Sequence, residues 1–167
     1  MCWINGRTDS TLLFISAGDG GSCRFFFYTV SWRLEQKRWG NRFPAIMNEL
    51  YQGLLPYESL EEADLELRMI KDEMSYLPHT SGIWVYELRS DPPPREIGEN
   101  KNAEDLSETF MTNIGRNMLD EFKTAIRVAK RYKEPVKMES IQDPIIVKVR
   151  YKEYDESAER AWIKKKK

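Results

Sequence analysis

The chain has 167 residues and an almost balanced charge, 26 Lys and Arg against 27 Asp and Glu. That length suits one domain, and a hydrophobic content of 41% supplies a core, which excludes a chain disordered throughout. A net charge of −1 does not suit general nucleic-acid binding.

Residues 11–17 (TLLFISA) form a short apolar run closed by Gly18-Asp19-Gly20-Gly21, the pattern of a strand leading into a tight turn. Phe25-Phe26-Phe27-Tyr28 is apolar on every face and suits a buried strand or a buried helix, but the spacing from Cys23 to Glu35 favours a helix. Trp39-Gly40-Asn41-Arg42-Phe43-Pro44 reads as a turn. A short helix follows over Ala45–Gln52, begun by Pro44 and ended by Gly53.

The longest regular pattern comes next. Leu60, Ala63, Leu67, Ile70, Met74 and Leu77 repeat at helical spacing, and Pro78 stops the run. Ser59 with Glu62 has the spacing of a capping box. The outer face is acidic. Ile83–Leu88 alternates like a strand, Pro92-Pro93-Pro94 imposes an extended segment, and Arg95–Asp105 reads as a polar, mobile loop. Glu108–Thr112 suits another strand. A second long helix spans Asn117–Tyr132, with a basic outer face of Lys123, Arg127, Lys130, Arg131 and Lys133. Val136–Glu139 and Ile145–Tyr151 suit a hairpin around Gln142-Asp143-Pro144. The expected fold is α+β: a mainly antiparallel sheet with two long amphipathic helices packed on it. Residues 1–151 make a single domain and residues 152–167 a charged tail ending in four lysines.

Chemical motifs are scarce. A zinc site needs three or four ligands at recognisable spacing, and the chain has one histidine, His79, and two distant cysteines, Cys2 and Cys23. Without a signal-peptide pattern these cysteines read as reduced thiols in the cytoplasm. No apolar run is long enough for a membrane helix. The Ala17–Ser22 glycine run lacks the lysine and hydroxyl residue of a phosphate loop and reads as a turn. No constellation supports an enzyme, a cofactor or a metal, which leaves a binding protein by elimination.

The segment Trp39-Gly40-Asn41-Arg42-Phe43-Pro44-Ala45-Ile46-Met47-Asn48-Glu49-Leu50-Tyr51-Gln52-Gly53 resembles the characteristic segment of the immunity protein 70 family, small antidotes encoded with bacterial polymorphic toxins. The likeness extends over about residues 10–140 and leaves out Cys2–Arg7 and the chain after Ser140. It implies a cytoplasmic α+β inhibitor that neutralises the C-terminal domain of a cognate toxin by stoichiometric occlusion, with no nucleic acid expected as partner. Trp39, Gly40, Arg42, Phe43, Pro44, Asn48, Glu49, Tyr51 and Gly53 read as scaffold, with Arg42 and Glu49 either paired to fix the loop or facing a partner. The expected toxin-binding face is acidic: Glu61, Glu62, Glu66, Asp72 and Glu73, standing in for phosphate charge against a basic cleft. A solvated helix face explains the same pattern. The alternative function is a small regulatory or nucleic-acid-binding module using the basic helix and the lysine tail.

Overall fold

A computed structural model describes residues 10–18, 20–83, 99–112, 114–140 and 145–152. Among the described residues, four antiparallel strands form one sheet: β1 (Ser10–Gly18), β2 (Leu54–Leu55), β3 (Val136–Ser140) and β4 (Ile145–Lys152), in spatial order β1-β4-β3-β2. The first and last described strands, β1 and β4, are therefore neighbours in the sheet. β4 pairs with β1 from Ser10↔Lys152 to Ser16↔Ile146, and a register shift then places Gly18 opposite Ile145. Its other edge pairs with β3 in the expected hairpin, Ser140 opposite Ile145. β2 is only two residues long and covers the start of β3.

Three α-helices stand beside the sheet: α1 (Gly20–Thr29), α2 (Leu60–Ser75) and α3 (Met118–Tyr132). α3 lies against β4, β1 and β3, and α2 packs chiefly on α3 and on the turns before and after it. The α+β class is as expected, with α2 forming an outer layer over α3. The all-apolar Phe25–Phe27 run is helical, and all three rings are buried. Phe26 meets Phe27, Phe110 and Phe122 at ring-centroid distances of 5.1, 5.4 and 5.7 Å. Three consecutive buried rings leave no polar position within Phe25–Phe27, which is why that run by itself suits a strand as well as a helix.

Several local expectations need correction. Ser59 makes no capping hydrogen bond: a 3-10 turn over Tyr57–Ser59 precedes α2, so Ser59 already has helical dihedrals and its hydroxyl is not aimed at the N–H groups ahead. The helix expected over Ala45–Gln52 is wound as a π turn, Ala45–Leu50, with the Tyr51 N–H donating to the Ile46 carbonyl. Gly53 ends it at φ +105°, a conformation that suits glycine, and its carbonyl accepts from the Met138 N–H to start the β2–β3 pairing. The expected strand Glu108–Thr112 is a 3-10 turn (Leu106–Glu108) followed by single bridges from Phe110 to Glu99 and from Met111 to Asn117. Asp105 causes this: its carboxylate accepts from the Ser107 N–H and hydroxyl and winds the chain into a turn.

The described part of the expected mobile loop, residues 99–105, is tied down. Asn100 N–H donates to the Thr109 carbonyl, Ala103 is buried, and Asp105 bridges Pro78. Asn117 caps α3 by accepting from the Asp120 N–H, and Lys133 closes it in a left-handed conformation. The expected strand beyond Ile83, the triple proline and the tail after Lys152 lie outside the described residues.

Phe26→Ala empties the centre of the aromatic cluster and is expected to cost about 3–5 kcal/mol in urea unfolding. A loss below about 1 kcal/mol would place the centre of the core elsewhere.

Candidate functional site

The segment 39–53 is held by carboxylates from outside it. Glu35, 2% exposed, follows a π turn over Val30–Leu34. One of its oxygens accepts from the Gly40 N–H at 2.8 Å, and the other from the Arg42 and Phe43 N–H groups, both at 3.0 Å. Reaching that position forces Gln36 and Lys37 into left-handed dihedrals, φ 52° and 66°. Two such residues cost roughly 2–4 kcal/mol, and three hydrogen bonds to a carboxylate return about 4–9 kcal/mol, so the clamp prevails. Gly40 also has positive φ, and a Cβ there would collide with the Asn48 amide.

Glu66 does the same for the next stretch. From α2 it accepts the Ala45 N–H at 3.2 Å and the Ile46 N–H at 2.8 Å, which are donors left open at the start of the π turn. Trp39 closes the back of the motif: its Nε1–H donates to the Met47 carbonyl at 2.8 Å, and its ring lies 4.8 Å from that of Tyr51. Phe43 is fully buried beneath the Arg42 guanidinium. Pro44 sets helical dihedrals ahead of the π turn. The Glu49 Oε2 is buried and has no hydrogen-bond partner among the described residues.

Arg42 does not pair with Glu49. Its guanidinium grips both oxygens of Glu73 on α2 and donates to the Leu34 carbonyl. The Arg42 hydrogen bond and charge draw the Glu73 carboxyl below its ordinary range. The motif is therefore bound to α2 at two points, through Glu66 and through Glu73.

The five acidic residues expected to face a partner are not equivalent. Glu66 is only 4% exposed and is spent on the motif backbone, so it does not belong to an outer face. It lies at the edge of the apolar stripe, where the inward-facing N–H groups of another segment meet it. Glu73 is engaged by Arg42. Glu61 receives Lys130 of α3 at 2.8 Å. Neighbouring Asp64 is held by Arg68 and lies 3.5 Å from Lys130. Lys71 reaches Asp120 at 2.7 Å. The acidic and basic helix faces, read from sequence as separate patches, are partly joined to each other. Among the described residues, Glu58, Glu62 and Asp72 are exposed and make no ion pair.

Sequence reasoning missed the apolar crest of α2. Leu65, Met69 and Tyr76 are 55%, 40% and 80% exposed and fall on the face opposite the core. Their spacing of four and then seven residues was the available signal. No group of three or more His, Cys, Asp or Glu residues among the described residues could hold a metal. Cys23 is buried, and no described helix is long and apolar enough to cross a membrane.

The family model of immunity protein 70 matches residues 9–138, which takes in the clamped motif, α2 and α3. The chain belongs to the immunity protein 70 family. Members are in general toxin-neutralising proteins rather than enzymes, so a toxin is the class of partner that membership implies. The match ends before β4, although β4 is an internal strand of the sheet. No curated protein and no solved structure matches the chain significantly.

Glu35→Ala is expected to cost about 3 kcal/mol or more by stranding three donors, with faster hydrogen exchange at Gly40, Arg42 and Phe43. Unchanged protection at those amides would show that another group holds the turn. A second expectation concerns pH. Burial pushes the Glu66 carboxyl up to about 7, against the two N–H groups that lower it and with Glu62 and Glu35 adding to the rise. The unfolded chain releases this proton near 4.5 and the folded chain holds it to about 7. The stability from the neutral side chain is thus full below pH 4.5 and lost as pH rises through 7. Urea midpoints should fall between about pH 4.5 and 7 and level off above that, and Glu66→Gln should flatten that slope; an equal slope in both proteins would assign the titration elsewhere.

Proposed function

We propose that the protein binds the C-terminal toxin domain of a bacterial polymorphic toxin system, delivered by contact or by secretion, and neutralises it by stoichiometric occlusion in the cytoplasm of the producing cell. Membership of the immunity protein 70 family carries this reading. The rigid, outward face of α2 supports it as the contact surface. Self-protection without turnover requires the complex to outlast exposure, so dissociation is slow and affinity resides mainly in the off-rate.

The charge of the contact face comes from Glu58, Glu62 and Asp72, with Glu61 and Glu73 at its margins in their pairs with Lys130 and Arg42. Acidic side chains on a helix suit the basic cleft of a toxin that acts on nucleic acid, and they accelerate encounter with it. Glu66 is omitted from this face because it is buried. The nucleic-acid-binding alternative loses ground for a specific reason: Lys130, part of the basic helix face, is occupied by Glu61 and Asp64.

Titration calorimetry with an inactive variant of the toxin domain encoded beside this protein is expected to give saturable nanomolar binding at fixed stoichiometry. No binding at micromolar concentration would count against neutralisation of that toxin. Reversing Glu58, Glu62 and Asp72 to lysine together should weaken binding at least tenfold and flatten its dependence on salt. Unchanged affinity and unchanged salt dependence would move the contact off this charged face.

A further inference from the structure

We propose that the exposed crest of α2 is the energetic centre of the partner contact, and that Leu65, Met69 and Tyr76 seat in an apolar cleft of the toxin domain whose rim carries lysine and arginine. This rests on the neutralisation reading and deepens it, since it assigns the affinity to apolar side chains and leaves the acids to guide encounter and choose the partner.

Three observations lead to it. The first is the crest itself. Leu65, Met69 and Tyr76 are among the described large hydrophobic residues left exposed, and they are collinear on one helix. From Leu65 to Tyr76 the helix and its C-cap rise about 16 Å, three turns, which is the reach of a helix laid in a groove. Single exposed hydrophobic residues are ordinary on a surface; a row at helical spacing on the face away from the core is not explained by packing within the chain.

The second is the charge around the row. The cations of α2 are occupied: Arg68 by Asp64 and Lys71 by Asp120. The acids Glu58, Glu62 and Asp72, which border the row, make no ion pair among the described residues. The surface offered to a partner is therefore an apolar strip with a negative rim, and its complement is an apolar cleft with a positive rim. Interfaces commonly place their strongest contacts in such an apolar centre, with polar residues around it excluding water, and tyrosine is over-represented at those centres.

The third is rigidity. α2 is fixed on one flank by Lys130 and Asp120 of α3, on the other by Arg42, and underneath by Glu66 on the motif backbone. A crest that is already ordered loses little conformational entropy on binding, so its burial converts more fully into affinity. The other exposed apolar residues do not form a row on one helix: Tyr51 is stacked on Phe27 and Trp39, Leu54 lies in the short strand β2, Tyr57 in the 3-10 turn ahead of α2, and Ile114 beside the glycine turn at Gly115.

The test uses the whole chain with the inactive toxin domain, reading affinity by calorimetry and off-rate by surface capture. Leu65→Ala with Tyr76→Ala together are expected to weaken binding at least 100-fold, almost wholly through the off-rate and without altering the salt dependence. Met69→Gln, which preserves length and helix preference, should weaken it about tenfold. Urea midpoints should stay near wild type, since all three side chains are exposed. If wild type binds tightly and the double variant binds equally well, the crest assignment is overturned while neutralisation stands. If wild type itself does not bind, the neutralisation reading fails first. Sedimentation of the free protein gives the last arm. A wild-type dimer that the double variant converts to monomer would make a second copy of this chain the occupant and overturn the proposal.

Discussion

A carboxylate can be buried only where hydrogen-bond donors converge on it, and this fold rests on two such places. Glu35 gathers the N–H groups of Gly40, Arg42 and Phe43, and Glu66 gathers those of Ala45 and Ile46. Between them they satisfy the backbone through the turn and into the π-wound segment, where regular helix or sheet would ordinarily do it. The same contacts set the position of α2, because Glu66 is rooted in that helix and Arg42 adds a bidentate grip on Glu73. Every statement about the outer surface of α2 therefore depends on what happens beneath it.

This arrangement separates two kinds of residue in the region that marks the family. Most of the motif looks inward. Trp39 is bound to the Met47 carbonyl, Gly40 leaves room for Asn48, Phe43 is sealed under Arg42, and Gly53 starts the β2–β3 pairing. The side chains that look outward from α2 are not needed for those contacts. Discrimination among partners requires features that can change without loss of the fold, and the crest residues Leu65, Met69 and Tyr76 with the acids Glu58, Glu62 and Asp72 meet that requirement: they are exposed, and these three acids make no ion pair among the described residues.

Much of the fold was legible in the sequence. The 3-4 spacing of α2, the span of α3 and the hairpin of β3 and β4 all appear where periodicity and turn residues place them. The punctuation of the motif by Gly40, Pro44 and Gly53 was also legible. What was not legible are contacts between segments. A helical wheel puts Glu66 beside Glu62 on a polar edge, and nothing local reveals that Ala45 and Ile46, twenty residues earlier, bring their N–H groups to it. Arg42 has an acid nearby in sequence, Glu49, and chooses a distant one, Glu73. The capping box failed because a 3-10 turn had already started the helix. The crest is hard to read for the opposite reason: Leu65, Met69 and Tyr76 belong neither to the buried stripe nor to the charged positions of α2.

The two clamps differ in how far apart along the chain their partners lie, and that difference sets an order of assembly. Glu35 binds amides five to eight residues away, whereas Glu66 binds amides 20 and 21 residues away. Closing the shorter loops sacrifices less chain entropy, so the turn can close as a local unit before α2 docks against it. The sheet comes together on a much longer scale, since β1 must find β4 across nearly the whole chain. A nascent chain emerging from the ribosome can therefore complete the motif early but cannot seal its sheet until β4 has been made. α2 and α3 can likewise pair with each other before the sheet beneath α3 is closed by β4.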